Sequence, residues 1–141
     1  MVELLIYIGL LSLFLTILTT LFVSIFKLQL TTQATSSLTQ DTRFIIARMG
    51  YDIGNAASLI VPDSTHLRFN GTSTYSLDGD GNLILTIDGI GSRLNGLDTN
   101  ISNISFQQVD ETVQVKFTID SNVIEESGPR SQIVQTTYGL R

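Results

Sequence analysis

The stretch that decides the fold is VELLIYIGLLSLFLTILTTLFVSIFK, residues 2–27. It contains one carboxylate, Glu3, followed by an uncharged segment, residues 4–26. A helix rises about 1.5 Å per residue, so this segment spans roughly 34 Å, enough to cross a hydrocarbon core of about 30 Å. An apolar run longer than about 18 residues favours a membrane helix over a buried core helix. We therefore predict that residues 1–26 form the membrane half of a helix.

The helical pattern continues beyond this segment. Residues 27–60 contain no proline, and their first glycine is Gly50. Apolar side chains recur there at steps of three, four or seven, which places them on one stripe of an amphipathic helix. Pro62 and the late glycines predict that the helix ends between Asn55 and Ile60. The predicted stripe consists of Ala34, Leu38, Ile45, Met49, Ile53, Ala56, Ala57 and Ile60.

From residue 61 to residue 141 the pattern changes to alternating apolar and polar residues, which is typical of half-buried antiparallel strands. The clearest strand pair joins residues 105–109 to residues 113–119 through a short turn. The second strand of this pair has one apolar face, and we expect the helix stripe to cover it. The predicted fold class is α+β, with a long N-terminal helix packed on an antiparallel β-sheet. The predicted strands cover residues 66–70, 72–78, 82–88, 101–110, 111–120 and 131–141, and the apolar face consists of Val113, Val115, Phe117 and Ile119.

The charge distribution argues against several partners and sites. The formal net charge is −5, and the eight basic residues are scattered along the chain without a cluster that could follow a phosphate backbone. We therefore expect no contact with nucleic acid. The chain contains no cysteine, so it can form neither a disulfide nor a thiolate metal site.

The segment DGDGN, in which Asp78, Asp80 and Asn82 stand at alternate positions, begins like a calcium-binding loop. The rest of that pattern fails, because Leu83 stands where the loop needs glycine and Gly89 where it needs glutamate. Asp-Gly and Gly-Asn pairs also supply the positive φ angles of tight hairpin turns. We therefore interpret the segment as a hairpin between TYSL and LILT.

No side-chain pattern predicts catalysis. His66, the single histidine, lies in an alternating segment without the companions of a metal triad, so we interpret it as a partly exposed strand residue. Glu125 and Glu126 are interpreted as solvated loop residues rather than as an acid–base pair. Serine-elbow and phosphate-loop patterns are absent from the sequence. We predict a non-enzymatic protein without catalytic residues, metal or cofactor.

Glu3 has two interpretations from residue chemistry alone. At the end of a membrane helix a carboxylate reaches headgroups and water, where it needs no further explanation. Alternatively, Glu3 lies within the apolar zone of an assembly and a neighbouring chain supplies a positive partner. The residues themselves do not favour one over the other.

The run VELLIYIGLLSLFLTILTTLF, followed by an amphipathic helix and a strand-rich acidic domain, resembles the type IV pilin-like proteins: the minor pilins and the pseudopilins of type II secretion. After cleavage by a prepilin peptidase, these begin with an aromatic residue, followed by threonine, leucine, isoleucine or valine, glutamate, leucine and another apolar residue. Val2, Glu3, Leu4 and Leu5 match that order. The segments YSLDGDGNLILTID, ISNISFQQVD, VQVKFTID and QTTYGLR are similar to the larger minor pilins and J-type pseudopilins.

The resemblance implies a structural subunit of a type IV pilus or a type II secretion-like fibre, assembled through its N-terminal helix. Glu3 would be the assembly residue, pairing with the N-terminal amine of a neighbouring subunit. The implied partners are other pilin or pseudopilin subunits, the assembly platform, membrane lipid and a prepilin peptidase that also methylates the new N-terminus. The implied location is the bacterial inner membrane, with one membrane pass and the C-terminal domain extracytoplasmic, or a surface or periplasmic fibre.

Parts of the family's start are missing from this chain: the basic leader, the glycine before the cleavage site, the aromatic first residue and the threonine. We expect a reading frame that extends upstream of Met1 to encode them. The alternative function is a single-pass, membrane-anchored binding module whose strand domain captures a ligand outside the cell. A membrane-anchored hydrolase is a weaker alternative, because it lacks any motif. We expect partner contacts at the loops, residues 89–100 and 121–131, because loops carry recognition on such scaffolds.

Overall fold

The computed structural model describes residues 2–123 and 128–139. One helix precedes eight strands, and every strand pair is antiparallel, so the α+β class is confirmed. The elements are α1 (Val2–Gly54), β1 (Leu59–Asp63), β2 (His66–Phe69), β3 (Ser73–Leu77), β4 (Leu83–Ile87), β5 (Ile90–Arg93), β6 (Thr99–Val109), β7 (Thr112–Ser121) and β8 (Ser131–Gly139).

The helix ends at Gly54, one residue before the predicted interval. The backbone N–H and the side-chain amide of Asn55 both donate to the carbonyl of Tyr51, at 3.1 and 2.8 Å, which satisfies a carbonyl of the last turn. Ala57 N–H then donates to the side-chain oxygen of Asn70 at 2.8 Å, which turns the chain toward the strands. The predicted stripe is therefore wrong at its end, because Ala57 is exposed and Ile60 belongs to β1.

The rest of the stripe packs as predicted. Its members from Ala34 to Ala56 are all buried, and so are the four apolar residues predicted to share one face of β7. Helix residues from Leu38 onward and the β7 face belong to one continuous core cluster that also includes side chains from β2, β3, β4, β6 and β8. Burying apolar area is worth about 25 cal/mol per Å², so this contact is what holds the amphipathic half of the helix to the strands.

The strands form two sheets rather than the single sheet predicted: a five-stranded sheet ordered β1-β2-β3-β4-β5 and a three-stranded sheet ordered β6-β7-β8. The β6–β7 hairpin is the predicted strand pair and turns at Asp110 and Glu111, between the paired residues Val109 and Thr112. The sheets meet at β6, where Ile101 N–H donates to the Gly81 carbonyl and Phe106 N–H donates to the Ser64 carbonyl, each at 2.8 Å.

Two strands, β1 and β5, were not predicted. Strand β5 lies in the segment that we expected to be a partner-binding loop, residues 89–100. Its hairpin with β4 turns at Asp88 and Gly89. Their φ angles of 50° and 84° are positive at both central residues, as in a two-residue type I′ turn. The Asp-Gly pair between two apolar residues was the sequence signal for this hairpin. Of the expected loop, Gly89 belongs to this turn, and only residues 94–98 form a longer connection between described strands.

Candidate functional site: the exposed helix and its attachment to the strand domain

The N-terminal part of α1 extends away from the strand domain, which comprises β1 to β8. All residues 2–29 are exposed, and the most apolar window of the helix has a mean hydropathy of 2.3 with no buried residue. Within the described residues, α1 is the one helix long and apolar enough to cross a membrane. Glu3 lies in its first turn, where the helix dipole favours a carboxylate.

A row of hydroxyl side chains runs along one side of this exposed segment. Thr16, Thr20 and Ser24 each donate to the carbonyl four residues earlier, at 2.9 Å, and Thr19 does so at 2.8 Å. A hydroxyl that is hydrogen-bonded within its own helix has a smaller free-energy cost of transfer into an apolar environment than an unpaired hydroxyl. Together with Ser12, they leave a shallow side on the helix along which a second helix can approach closely.

Asp41 attaches the helix to the loop between β5 and β6. Its carboxylate accepts hydrogen bonds from Gly96 N–H, at 2.7 Å, and from the Thr99 hydroxyl. The Arg93 guanidinium shapes the same loop by donating to the carbonyls of Asn95, Gly96 and Thr99. A Cβ atom at Gly96 would lie 2.9 Å from Asp41 Oδ2, so any larger residue would force the Asp41 carboxylate to move. The loop at which we expected partner contacts is thus bonded to the helix through Gly96 and Thr99.

Asp52 makes a second attachment in the core. Its Oδ2 accepts from the Tyr75 hydroxyl at 2.6 Å and from Arg48 Nε at 2.9 Å. Burial, reinforced by the bond to Asp52, raises the pKa of the Tyr75 phenol, so Tyr75 stays protonated and is the donor. The hydrogen bond to Asp52 raises the pKa of Arg48. The carboxylate thus joins the last turns of α1 to the middle strand of the larger sheet.

The smaller sheet has its own contacts with the helix. The Tyr138 hydroxyl at the end of β8 donates to the carbonyl of Ile46 at 2.9 Å, and burial raises its pKa. Before the start of β8, Arg130 donates to the Thr35 hydroxyl at 3.2 Å. The two sheets therefore hold the helix from Thr35 to Asp52 in a defined orientation.

Sequence reasoning did not identify the roles of Asp41 and Asp52. The sequence signal for Asp41 was a seven-residue gap in the apolar stripe, between Leu38 and Ile45. The helix turn in this gap faces the strands, and its residues on that face, Asp41 and Thr42, are polar. Asp52 precedes Ile53, so it also stands at the edge of the buried face. Neither position reveals its bonding partner, because Gly96, Thr99 and Tyr75 are distant in sequence.

The DGDGN segment is a hairpin turn between β3 and β4, as predicted. Asp78 Oδ1 accepts from the N–H groups of Asn82 and Asp80, at 2.7 and 3.0 Å, and its Oδ2 accepts from the Asn82 side-chain amide at 2.7 Å. The Asn82 amide is the main cause of the lowered pKa of Asp78. Gly81 adopts a φ of 76°, which explains the second glycine. The carboxylate thus serves the turn itself.

His66 is the partly exposed strand residue that we predicted. Its Nδ1 lies 2.9 Å from Asp63 Oδ1, and this contact is the main cause of the lowered pKa of Asp63. No group of three or more His, Cys, Asp or Glu residues that could hold a metal occurs among the described residues. Glu125 and Glu126, and with them the centre of the expected partner loop at residues 121–131, lie outside the described residues.

A search of known proteins adds no relative: no family model, no curated protein and no solved structure matches this chain.

Proposed function

We propose that this protein is a non-enzymatic structural subunit, of the minor pilin or pseudopilin type, of a type IV pilus or type II secretion-like fibre. It is held first in the inner membrane by α1 and later packed by the same helix against neighbouring subunits. The strand domain would lie on the extracytoplasmic side. The proposal rests on the family resemblance of the N-terminal segment, and one structural observation supports it most.

That observation is the complete exposure of an uncharged helix surface about 34 Å long next to a single carboxylate. Monomeric soluble proteins rarely expose a continuous apolar surface larger than a few hundred Å². Lipid or other helices must therefore cover residues 4–26. A membrane anchor alone needs no particular residue at position 3. In a subunit that leaves the lipid, other helices would surround Glu3, and its buried charge would then need a positive partner.

The attachment of the strand domain supports the same role. Hydrogen bonds of Asp41, Asp52 and Tyr138 join the helix to the β5–β6 loop, to the larger sheet and to the smaller sheet. In a fibre whose helices pack together, such an attachment would give every strand domain the same orientation around the axis. A flexible linker would serve an anchored binding module equally well, but no such linker separates the helix from β1.

The test replaces Glu3 with glutamine in the native, full-length reading frame and measures the amount of protein in sheared fibres. Leaving a buried charge unpaired costs about 3–5 kcal/mol, so we expect Glu3→Gln to lower incorporation by more than roughly tenfold. The membrane-bound protein should keep a protease-resistant strand domain. Glu111→Gln, at an exposed hairpin turn, is the matched control and should incorporate normally.

Two results would contradict the proposal. Equal incorporation of Glu3→Gln and the control would show that Glu3 is not the assembly residue. A native protein that never leaves the membrane fraction, and whose intact mass shows neither cleavage nor N-methylation, would instead identify a permanently anchored binding module.

A further inference from the structure

Two asparagines in this chain precede glycine: Asn70 stands before Gly71, and Asn95 before Gly96. In such a pair the glycine nitrogen can attack the side-chain carbonyl carbon of the asparagine, because glycine has no Cβ to hinder the approach and its backbone turns freely. The attack expels the side-chain nitrogen as ammonia. Both pairs are therefore chemically able to lose the asparagine amide, and the surrounding structure determines how readily each one does.

The first pair lies in the exposed turn between β2 and β3. Asn70 Oδ1 accepts from Ala57 N–H at 2.8 Å. This donor polarises the carbonyl and would stabilise the negative charge that the attack places on Oδ1. Among the described residues, neither Asn70 Nδ2 nor Gly71 N–H has a hydrogen-bond partner. The electrophile is thus activated, while the attacking and the departing nitrogen are both unrestrained by hydrogen bonds there.

The same turn can open without disturbing the core. Two backbone bonds hold it within the described residues, from Asn70 N–H to the Ser58 carbonyl and from Thr72 N–H to the Asn70 carbonyl, each at 2.9 Å. Exposed turns with few bonds open locally at a much smaller free-energy cost than the core. Rotation of the Asn70 side chain toward the nitrogen of Gly71 therefore requires only local opening.

The second pair is held where the first is unrestrained. The Asn95 side chain is buried, and its Nδ2 donates to the Thr99 carbonyl at 2.7 Å. The attacking group, Gly96 N–H, donates to Asp41 Oδ2 at 2.7 Å. Asn95 Oδ1 accepts from Leu83 N–H at 2.9 Å, so the polarisation of the carbonyl is similar in the two pairs. The difference between them therefore lies in the departing and the attacking nitrogen.

We propose that Asn70 is a site of spontaneous deamidation and that Asn95 is protected from this reaction by the fold. A bond forms between Gly71 N and Asn70 Cγ, the Cγ–Nδ2 bond breaks, and the proton of Gly71 N leaves with the ammonia. Water then opens the cyclic imide. Opening at Cγ gives aspartate, and opening at the main-chain carbonyl gives isoaspartate, in which the main chain runs through Cγ. Water is the co-reactant, and the step needs no enzyme.

The modification changes the charge and the geometry of the turn. It adds a carboxylate to a chain whose formal net charge is −5. Aspartate can still accept from Ala57 N–H, but isoaspartate lengthens the main chain of the turn by one carbon and displaces the groups that bond Ser58 and Thr72. Isoaspartate would therefore loosen the contact between this turn and the segment that joins α1 to β1. This consequence does not depend on fibre assembly.

The test incubates the purified full chain in mild detergent, in water enriched in heavy oxygen, at neutral and at mildly alkaline pH. Peptide mapping by mass spectrometry measures label uptake at both asparagines, and electron-transfer fragmentation separates aspartate from isoaspartate. We expect label and isoaspartate to accumulate at Asn70, faster at the higher pH because the attacking nitrogen must lose its proton. Asn95 should react at least roughly tenfold more slowly, because its additional hydrogen bonds must break first.

Three controls locate the cause. Gly71→Ala should slow the reaction at Asn70 severalfold, because the added Cβ hinders the attacking nitrogen. Gly79→Ala is the matched control, since Gly79 lies in another exposed turn, has open space around its Cα and does not follow an asparagine. It should leave the rate at Asn70 unchanged. In unfolding concentrations of urea, Asn70 and Asn95 should react at similar rates.

Three outcomes would overturn the proposal. The first is an absence of label at Asn70, and the second is equal rates at Asn70 and Asn95 in the folded chain. The third is a rate difference that persists in urea, because the fold would then not be its cause. A failure of Glu3→Gln to block fibre incorporation would leave these measurements unaffected.

Discussion

Replacing Tyr75 with phenylalanine tests whether the Asp52 contact holds the strand domain on the helix. Tyr75 is fully buried, and its hydroxyl lies 2.6 Å from a carboxylate whose side chain is 7% exposed. The phenyl ring can keep its stacked contact with Phe69, whose centroid lies 5.5 Å away. The substitution therefore removes one hydrogen bond and little packing.

The magnitude follows from the charge of the acceptor. A hydrogen bond to an ionised group contributes about 1.5–3 kcal/mol, roughly twice the value of a neutral one. After the change, Asp52 keeps only the bond from Arg48, whose side chain is 38% exposed and partly hydrated. We therefore expect Tyr75→Phe to lower the free energy of unfolding by about 1.5–3 kcal/mol.

The measurement is urea unfolding of the full chain in mild detergent, followed by pulse proteolysis so that the persistent membrane helix does not contribute. Tyr51→Phe is the matched control, because Tyr51 lies on the same helix and is 67% exposed. A surface substitution of this kind should change stability by less than about 0.5 kcal/mol. A double-mutant cycle with Asp52→Asn should show coupling between the two positions.

Two outcomes would refute this reasoning. If Tyr75→Phe behaves like Tyr51→Phe, the hydroxyl does not stabilise the buried carboxylate. If the effects of Tyr75→Phe and Asp52→Asn add without coupling, the two side chains stabilise the fold independently and the attachment lies elsewhere.

Three further predictions concern the attachments and turns. Gly96→Ala should destabilise the strand domain in urea by about 1–3 kcal/mol, and Asp41→Ala should remove most of this extra cost, because the added Cβ then meets no carboxylate. Thr42→Val should stabilise the strand domain in urea by roughly 1 kcal/mol, because the buried Thr42 hydroxyl has no hydrogen-bond partner in the described structure. Thr39→Val is the control and should not stabilise it, because the Thr39 hydroxyl donates to the carbonyl of Thr35. The pKa of Asp78 is lowered in the folded protein, so its carboxylate stabilises the fold above the ordinary aspartate pKa of about 3.9, and this stabilisation is lost as the pH falls below that value. On acidification, the urea midpoint of Asp78→Asn should therefore decline less than that of the wild type.

Much of the fold could be predicted because its pattern is local. The uncharged run, the helical stripe as far as Ala56 and the strict alternation in β7 are local patterns of the chain, and each matches the structure. The hairpins at Asp78–Asn82 and at Asp110 were predicted for the same reason, since turn residues act on their own backbone. The overlooked hairpin at Asp88 and Gly89 belongs to this group, because its signal was present in the sequence.

The sequence by itself therefore determined an exposed apolar helix, its amphipathic continuation and an antiparallel strand domain. Only the tertiary structure decided that the strands divide into two sheets and that Asp41 and Asp52 attach the strand domain to the helix. These features depend on pairs such as Asp41 with Gly96 and Asp52 with Tyr75, which are far apart in the chain. A periodic pattern indicates which face of an element is buried, but the packing of the whole domain decides which partner that face meets.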